Sequence, residues 1–232
     1  MITTYFFKII RSFATLSIIL LLVCCGGGGG GGSSATPEAT TFMLFPNGYF
    51  SAGYQESFNL TGSDTVGGKY TGTFLFKTES PTTFNGEQAI PVSELISATL
   101  TGENATETQT GTDYYSDNAN SRVDLGFEND TEGTTSIGIS LSPIPQTASI
   151  GDFGDIGTYP LSNGNTETSN WRLTQAGNGL ANLIETSTIT DSTGNTISTT
   201  EITNVIDTDG NCHSITVVFY LENTGTVTLS SQ

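Results

Sequence analysis

Turn-forming clusters recur in the C-terminal third of the chain at a spacing that strands of one length satisfy. They fall at Ala176-Gly-Asn-Gly179, Asp191-Ser-Thr-Gly-Asn195, Asp207-Thr-Asp-Gly-Asn211 and Glu222-Asn-Thr-Gly225. Asp or Asn opening a turn, with Gly at the left-handed position, is hairpin chemistry. Gly179, Gly194, Gly210 and Gly225 lie 15–16 residues apart, which leaves strands of ten or eleven residues between turns. At ~3.3 Å per residue such strands run roughly 33–36 Å, long for a small sandwich and natural for a barrel or a curved sheet. The expected fold is all-β: an antiparallel up-and-down meander, with five strands from Trp171 to Ser230, forming a barrel or curved half-barrel.

Alternation along these segments assigns faces. After Asn211, His213, Ile215, Val217, Phe219 and Leu221 share one side, and Cys212, Ser214, Thr216, Val218 and Tyr220 the other. Val227 and Leu229 continue the apolar side. Leu180–Thr190 and Thr196–Ile206 have no dry face along their whole length, being laced with Thr and Ser, as either a solvated wall or a polar-lined lumen would be.

The first half carries an echo at an offset of about 40 residues: Leu60-Thr-Gly then Thr71-Gly-Thr, and Leu100-Thr-Gly then Thr110-Gly-Thr. Tyr70, Phe74 and Phe76 alternate with Thr71 and Thr73, and Ile96, Ala98 and Leu100 with Ser97 and Thr99. Each copy reads as a strand ending in a Gly-containing turn. Phe42, Leu44, Phe45, Tyr49 and Phe50 surround Pro46-Asn-Gly48 and suggest an N-terminal hairpin that closes the core. Leu141-Ser-Pro-Ile-Pro145 must interrupt any ladder, since proline has no N–H to donate. Gly151-Asp-Phe-Gly-Asp-Ile-Gly157 reads as a glycine-rich connection. The best helix candidate, Ser93-Glu94-Leu95-Ile96, is one turn at most.

The N-terminus reads differently. Lys8 and Arg11 precede about a dozen mostly apolar residues from Ser12 to Val23, the length of a secretory h-region and too short to span a bilayer. Leu22-Val23-Cys24-Cys25 then resembles the lipobox of bacterial lipoproteins. That resemblance implies cleavage after Cys24 and acylation of Cys25, with Leu22 at −3 and Val23 at −2; Cys24 stands at −1, where the family usually has Gly, Ala or Ser. Gly26 in place of the aspartate that favours inner-membrane retention implies delivery to the outer membrane of a Gram-negative envelope. The organisation expected is therefore a signal peptide over 1–24, a lipidated cysteine and disordered tether over 25–41, and a single β domain over 42–232. A flexible tether of some 16 residues has a reach of roughly 20–24 Å. The exported part also resembles β-rich, glycine-tethered lipoproteins of Gram-negative bacteria with no assigned activity. The likeness lies in Leu60-Thr-Gly-Ser-Asp, Tyr70-Thr-Gly-Thr, Ile150-Gly-Asp-Phe-Gly and the run from Trp171 through Asn211.

After Cys25 the chain keeps four bases (Lys69, Lys77, Arg122 and Arg172) against 23 acids, a net charge of −19. Such a surface repels nucleic acid and anionic lipid, which excludes nucleic-acid partners. With Cys24 removed and Cys25 acylated, Cys212 has no partner for an intrachain disulfide and reads as a partly buried thiol.

Catalytic chemistry is hard to assemble from this inventory. His213 is the one histidine, and its neighbour Cys212 should point to the opposite strand face, so they make no nucleophile–base pair. One histidine and one thiol supply none of the usual zinc ligand sets. Asp207-Thr-Asp-Gly-Asn211 opens like a calcium loop, but Cys212 stands where the glycine belongs and Val218 where the glutamate belongs. Asp152 with Asp155, and Glu128 and Asp130 with Glu132, are the candidate cation sites, with solvated turn carboxylates the alternative. Trp171, sharing a face with Leu173, reads as core, and one of Tyr114 and Tyr115 must face outward. No catalytic residue and no cofactor are expected. The expectation is an envelope-anchored, non-enzymatic binding or structural module, held to the membrane by its acyl chains, with a surface protein or glycan as partner. The alternatives are a carrier of a lipid or small apolar ligand in a barrel cavity and a carboxylate-dependent hydrolase.

Overall fold

The computed structural model describes residues 40–102, 106–119, 122–131, 133–221 and 225–231. The signal peptide, the lipobox and nearly all of the tether lie outside the described residues. Fifteen strands follow one another among the described residues. They are β1 (Thr41–Met43), β2 (Gln55–Asp64), β3 (Lys69–Thr78), β4 (Thr82–Phe84), β5 (Glu87–Leu100), β6 (Thr106–Ser116), β7 (Asp124–Asn129) and β8 (Thr134–Ile137), then β9 (Thr147–Ser149), β10 (Phe153–Pro160), β11 (Thr166–Gly177), β12 (Leu180–Thr190), β13 (Thr196–Ile206), β14 (Cys212–Leu221) and β15 (Gly225–Ser231).

Thirteen of them form one antiparallel sheet, twelve in the order β10-β11-β12-β13-β14-β15-β2-β3-β5-β6-β7-β8 and wound into a nearly closed barrel, with β4 paired to β5 off that path. Two meanders are joined where the C-terminal β15 pairs with β2, with Val227 opposite Asp64. The five-strand meander expected from Trp171 to Ser230 is β11–β15, its turns where the Asp/Asn-Gly clusters place them. Asp191 and Asp207 each accept backbone N–H bonds from residues two and four positions on, which fixes these turns.

The barrel has a seam between β8 and β10. There the Leu141–Pro145 segment replaces regular pairing: Ile139 N–H donates to the Thr158 carbonyl at 2.7 Å and Ser142 N–H to the Ile156 carbonyl at 2.8 Å. Prolines at 143 and 145 leave no N–H to continue that ladder, so the sheet cannot close with full regular pairing here.

Eight strands already give a barrel interior wide enough for side chains to fill, so twelve need additional filling. The N-terminal segment supplies it, though not as the hairpin the sequence suggested. β1 pairs with β9, Phe42 opposite Ala148, and residues 44–54 turn repeatedly across one end of the barrel. Phe45, Tyr49 and Phe50 pack tilted and edge to face with centroids 4.8–5.1 Å apart and reach Tyr115 of β6. Phe42 and Leu44 are buried against Trp171, Leu173 and Leu183. A second apolar cluster joins Leu60, Phe74, Phe76, Val92, Val217, Phe219 and Leu229.

Several local expectations change. Ser93–Ile96 lies inside β5 and is not helical, because Val92, Ile96 and Ala98 pair across to β3 and β6 and sheet contacts outweigh local helix propensity. The stretch from Gly151 to Gly157 is mostly strand β10 rather than a connection. Its glycines make room for rings: a Cβ at Gly154 would sit 2.9 Å from the Trp171 indole nitrogen. Gly62 and Gly72 fall in mid-strand and not at turns, so the two copies of the echo do not occupy equivalent places. A Cβ there would lie 1.9 Å and 2.0 Å from the carbonyl oxygens of Thr228 and Ser97 on neighbouring strands.

The wall polarity is also informative. Outside lie Thr71, Thr73, Thr108, Thr110, Thr216, Lys69, Lys77, Arg172 and Glu201, and inside the two apolar clusters. A lipid-spanning barrel has the reverse arrangement. Among the described residues no helix is long and apolar enough to cross a membrane.

Candidate functional site

The lumen carries most of the unusual chemistry. Inward positions of β5, β6, β7, β11 and β12 hold Glu94, Asp113, Asp124, Glu167 and Glu185, one acid from each strand. The register gives each its place: Val92 faces Asp113, Glu94 faces Gly111, Asp113 faces Phe127, and Trp171 faces Glu185. Glu185 belongs to the polar inner stripe that leaves β12 and β13 without a dry face. Ser187 and Thr200 complete that stripe.

Two cavities open among them. One of about 60 Å3 is lined by Phe74, Ile96, Phe127, Ile202 and Phe219 with Glu94 and Asp113. The other, about 70 Å3, is lined by Phe45, Tyr49, Phe76 and Cys212 with Glu56, Glu94 and Glu185. Glu94 borders both. Each has room for a few waters, against several hundred Å3 for a typical small-molecule site. A larger cleft of about 200 Å3 lies at the plugged end between Phe45, Tyr49, Phe50, Arg122 and Gln146.

Among the described residues no basic side chain faces these acids. Arg172 lies on the outer wall, 3.3 Å from Glu201. Arg122 sits at the rim with its guanidinium 4.1 Å from the centre of the Phe50 ring and donates to the Ser116 carbonyl at 2.6 Å. Among the described residues Glu94, Asp113 and Glu185 have no hydrogen bond and no ion pair. Glu167 accepts the Ser187 hydroxyl on one oxygen at 2.5 Å, and Asp124 accepts the Gly126 N–H at 3.0 Å. Removal from water disfavours the charged form, and the neighbouring acids add repulsion. Burial pushes Glu94 up to about 8, with the Glu185 and Asp124 charges adding to it. Burial likewise pushes Asp124 and Glu185 up to about 7, and raises Asp113 well above the usual carboxylate range. Tyr49 and Tyr115, facing the same space, are held above the ordinary phenol range by burial.

The cation candidates are placed elsewhere and are not brought together. Asp152 accepts the Ser149 N–H at 2.8 Å, and Asp155 accepts the Asn170 amide at 3.4 Å. Glu128 accepts the Tyr114 hydroxyl at 2.8 Å on the outer wall, Asp130 is exposed in the β7–β8 turn, and Glu132 lies outside the described residues. Among the described residues no three acids, cysteines or histidines converge as metal ligands would.

His213 and Cys212 diverge, but not with the faces the alternation assigned. A register shift between Val205 and Ile206 breaks the pairing at the start of β14. His213 is thereby exposed and 3.2 Å from Asp207, while Ile215, Val217 and Phe219 stay buried. Cys212 lines the lumen cavity, its sulfur 3.7 Å from the Asn204 amide oxygen, and burial pushes its thiol up to about 12. Trp171 is core, Tyr115 points inward and Tyr114 stacks outside on Phe84 with centroids 4.1 Å apart.

Sequence reasoning missed Glu94, Asp113, Asp124 and Glu185 as a group. A signal was present: Glu94 stands two residues from Val92 and from Ile96, and Glu185 two from Leu183, so each acid shares a face with core residues. Comparison with protein-family models, with curated proteins and with solved structures finds no match.

Proposed function

We propose that this is an envelope lipoprotein, acylated at Cys25, whose β domain is a non-enzymatic binding or structural module displayed from a glycine-rich tether. What chiefly supports the non-enzymatic reading is the lumen: acids line cavities of about 60 and 70 Å3, closed at one end by the aromatic segment 44–54. Cys212 borders that interior while His213 lies outside on Asp207, so a thiol–imidazole pair is not assembled. A carrier would need room for an acyl chain, and a glycosidase would need its carboxyl pair open to a sugar ring. What supports the anchor is the sequence Leu22-Val23-Cys24-Cys25 with its cationic, apolar lead and glycine tether.

The test is fractionation with intact-mass measurement. The wild-type chain should sit in the membrane fraction, begin at Cys25 and carry acyl mass; Cys25→Ser should be released. An unmodified Cys25 with the leader retained would refute the anchor. Lipid co-purifying in stoichiometric amount with the delipidated domain would favour the carrier instead.

A further inference from the structure

The turn Ile150-Gly-Asp-Phe153 takes no part in the lumen. Ser149–Asp152 is a β-turn: Asp152 N–H donates to the Ser149 carbonyl at 3.0 Å, and Gly151 holds the third position at φ +97°. The Asp152 carboxylate turns back to accept the Ser149 N–H. Two further bonds clamp the turn to β11, from Gly151 N–H to the Leu173 carbonyl and from Leu173 N–H to the Asp152 carbonyl, both 2.8 Å. These four bonds hold the turn in one shape against β11. Two apolar side chains remain on a rigid support on the outer wall where β10 begins, Ile150 at 41 % and Phe153 at 70 % exposure.

The place matters as much as the exposure. Thr41 is in register with Ser149, so the chain running from Cys25 enters the fold beside this turn. We infer that the Ile150–Phe153 turn is a membrane foot, resting in the interfacial layer of the zwitterionic phospholipid bilayer to which the tether is anchored. The inference rests on the acylation reading above. Aromatic rings favour the headgroup level, and two side chains bind too weakly to hold a free protein there. The anchor changes that by making contact intramolecular, at an effective concentration in the millimolar range. A tether with a reach of roughly 20–24 Å lets the foot touch down without forcing it. Charge chooses the lipid: Asp152 and Asp155 flank the foot and oppose an anionic surface.

The experiment uses the full chain, purified as the mature acylated protein and reconstituted in phosphatidylcholine vesicles. Ile150→Cys and, as control, Val66→Cys are spin-labelled in a Cys212→Ser background, with Phe153 kept; Val66 is 74 % exposed in the β2–β3 turn at the opposite end of the barrel. Paramagnetic relaxation by oxygen, which concentrates in bilayers, is compared with that by an aqueous nickel chelate. The expected result is an oxygen-to-nickel ratio severalfold higher at position 150 than at position 66. In the same labelled chain, Phe153→Ser should reduce vesicle contact by at least ~10-fold, the factor that burial of one such side chain represents. Equal ratios at 150 and 66 on acylated, vesicle-bound protein overturn the foot and leave the anchor standing. Spin–spin broadening at 150 without an oxygen preference assigns the patch to a second copy and also overturns it. Intact mass reads the anchor separately, and an unmodified Cys25 removes both.

Discussion

Titrating the folded domain from about pH 5 to about pH 8.5 should lower its stability steadily, because four lumen carboxyls bind protons more tightly folded than unfolded. Glu185 is the clearest case, since burial alone lifts it from 4.5 to about 7. At ~1.4 kcal/mol per pH unit, that is roughly 3 kcal/mol of stability present below its unfolded pKa and lost as pH rises through its folded one. Glu94, lifted to about 8, and Asp124, lifted to about 7, act in the same direction, although coupling among these acids keeps their contributions from adding. The combined loss of several kcal/mol is comparable with the ~5–15 kcal/mol that holds an ordinary domain together. The exposed turn acids work oppositely. Hydrogen bonds from Thr193 and Asn195 hold Asp191 below the usual range. Burial works against ionising Asp64 and Asp207, yet bonds from Tyr70 and Gly68, and from Asn211 and His213, outweigh it. Their contribution is present above about pH 4 and lost below it, which puts the stability maximum near pH 4–5.

The assay is urea unfolding followed through Trp171, the single tryptophan and a buried one. Glu185→Gln keeps the shape and removes the charge. With an m-value of ~2 kcal/mol/M, it should raise the midpoint by about 1–1.5 M urea at pH 8.5 and leave it nearly unchanged at pH 5. A wild-type midpoint that is flat or rises between those pH values would refute the reasoning, as would a Gln variant less stable than wild type at pH 8.5.

Arg122→Ala should lower stability by about 1–3 kcal/mol at neutral pH, by removing the bond to Ser116 and the contact with Phe50; an unchanged melting temperature would deny it a clamping role. Gly72→Ala should prevent folding or lower the urea midpoint sharply, since its Cβ would meet the Ser97 carbonyl at 2.0 Å; a soluble variant with native circular dichroism and midpoint would contradict this. Cys212 should react with a disulfide reagent at pH 8 far more slowly than a free thiol, because burial pushes it up to about 12; labelling in seconds on the folded domain would show the lumen to be open.

Long-range architecture was legible where turns are chemically marked. The Asp/Asn-Gly clusters fix β11–β15 because Asp191 and Asp207 build their turns from their own side chains, without help from the rest of the fold. Legibility ended where tertiary geometry decides. β10 was hidden because Gly154 and Gly157 look like a loop until Trp171 and Tyr159 supply the rings that need the space. The plug was misread as a hairpin because Pro46-Asn-Gly48 does mark a turn, while the strand that β1 pairs with lies about a hundred residues on. At β14 a one-residue register shift moved His213 off the apolar face, which alternation alone cannot foresee.

The lumen acids bring these strands of reasoning together. A barrel of this many strands cannot fill itself from wall side chains of ordinary size, so it recruits the N-terminal segment as a plug and still leaves small voids. An apolar residue at each of those inward positions would fill a void and stabilise the fold; Glu94, Asp113 and Glu185 instead leave it lined with groups that prefer water. The arrangement holds together at neutral pH as long as part of the set stays protonated. Closure is therefore linked to proton uptake, and the plug residues Tyr49 and Phe45 border the same cavity as Glu94 and Glu185. Ionisation should thus be felt first where segment 44–54 meets the wall. Hydrogen exchange measured at two pH values should show protection lost at Tyr49 and Tyr54 before it is lost in β13 and β14. Uniform loss across the sheet would instead place the acids' influence on the barrel as a whole.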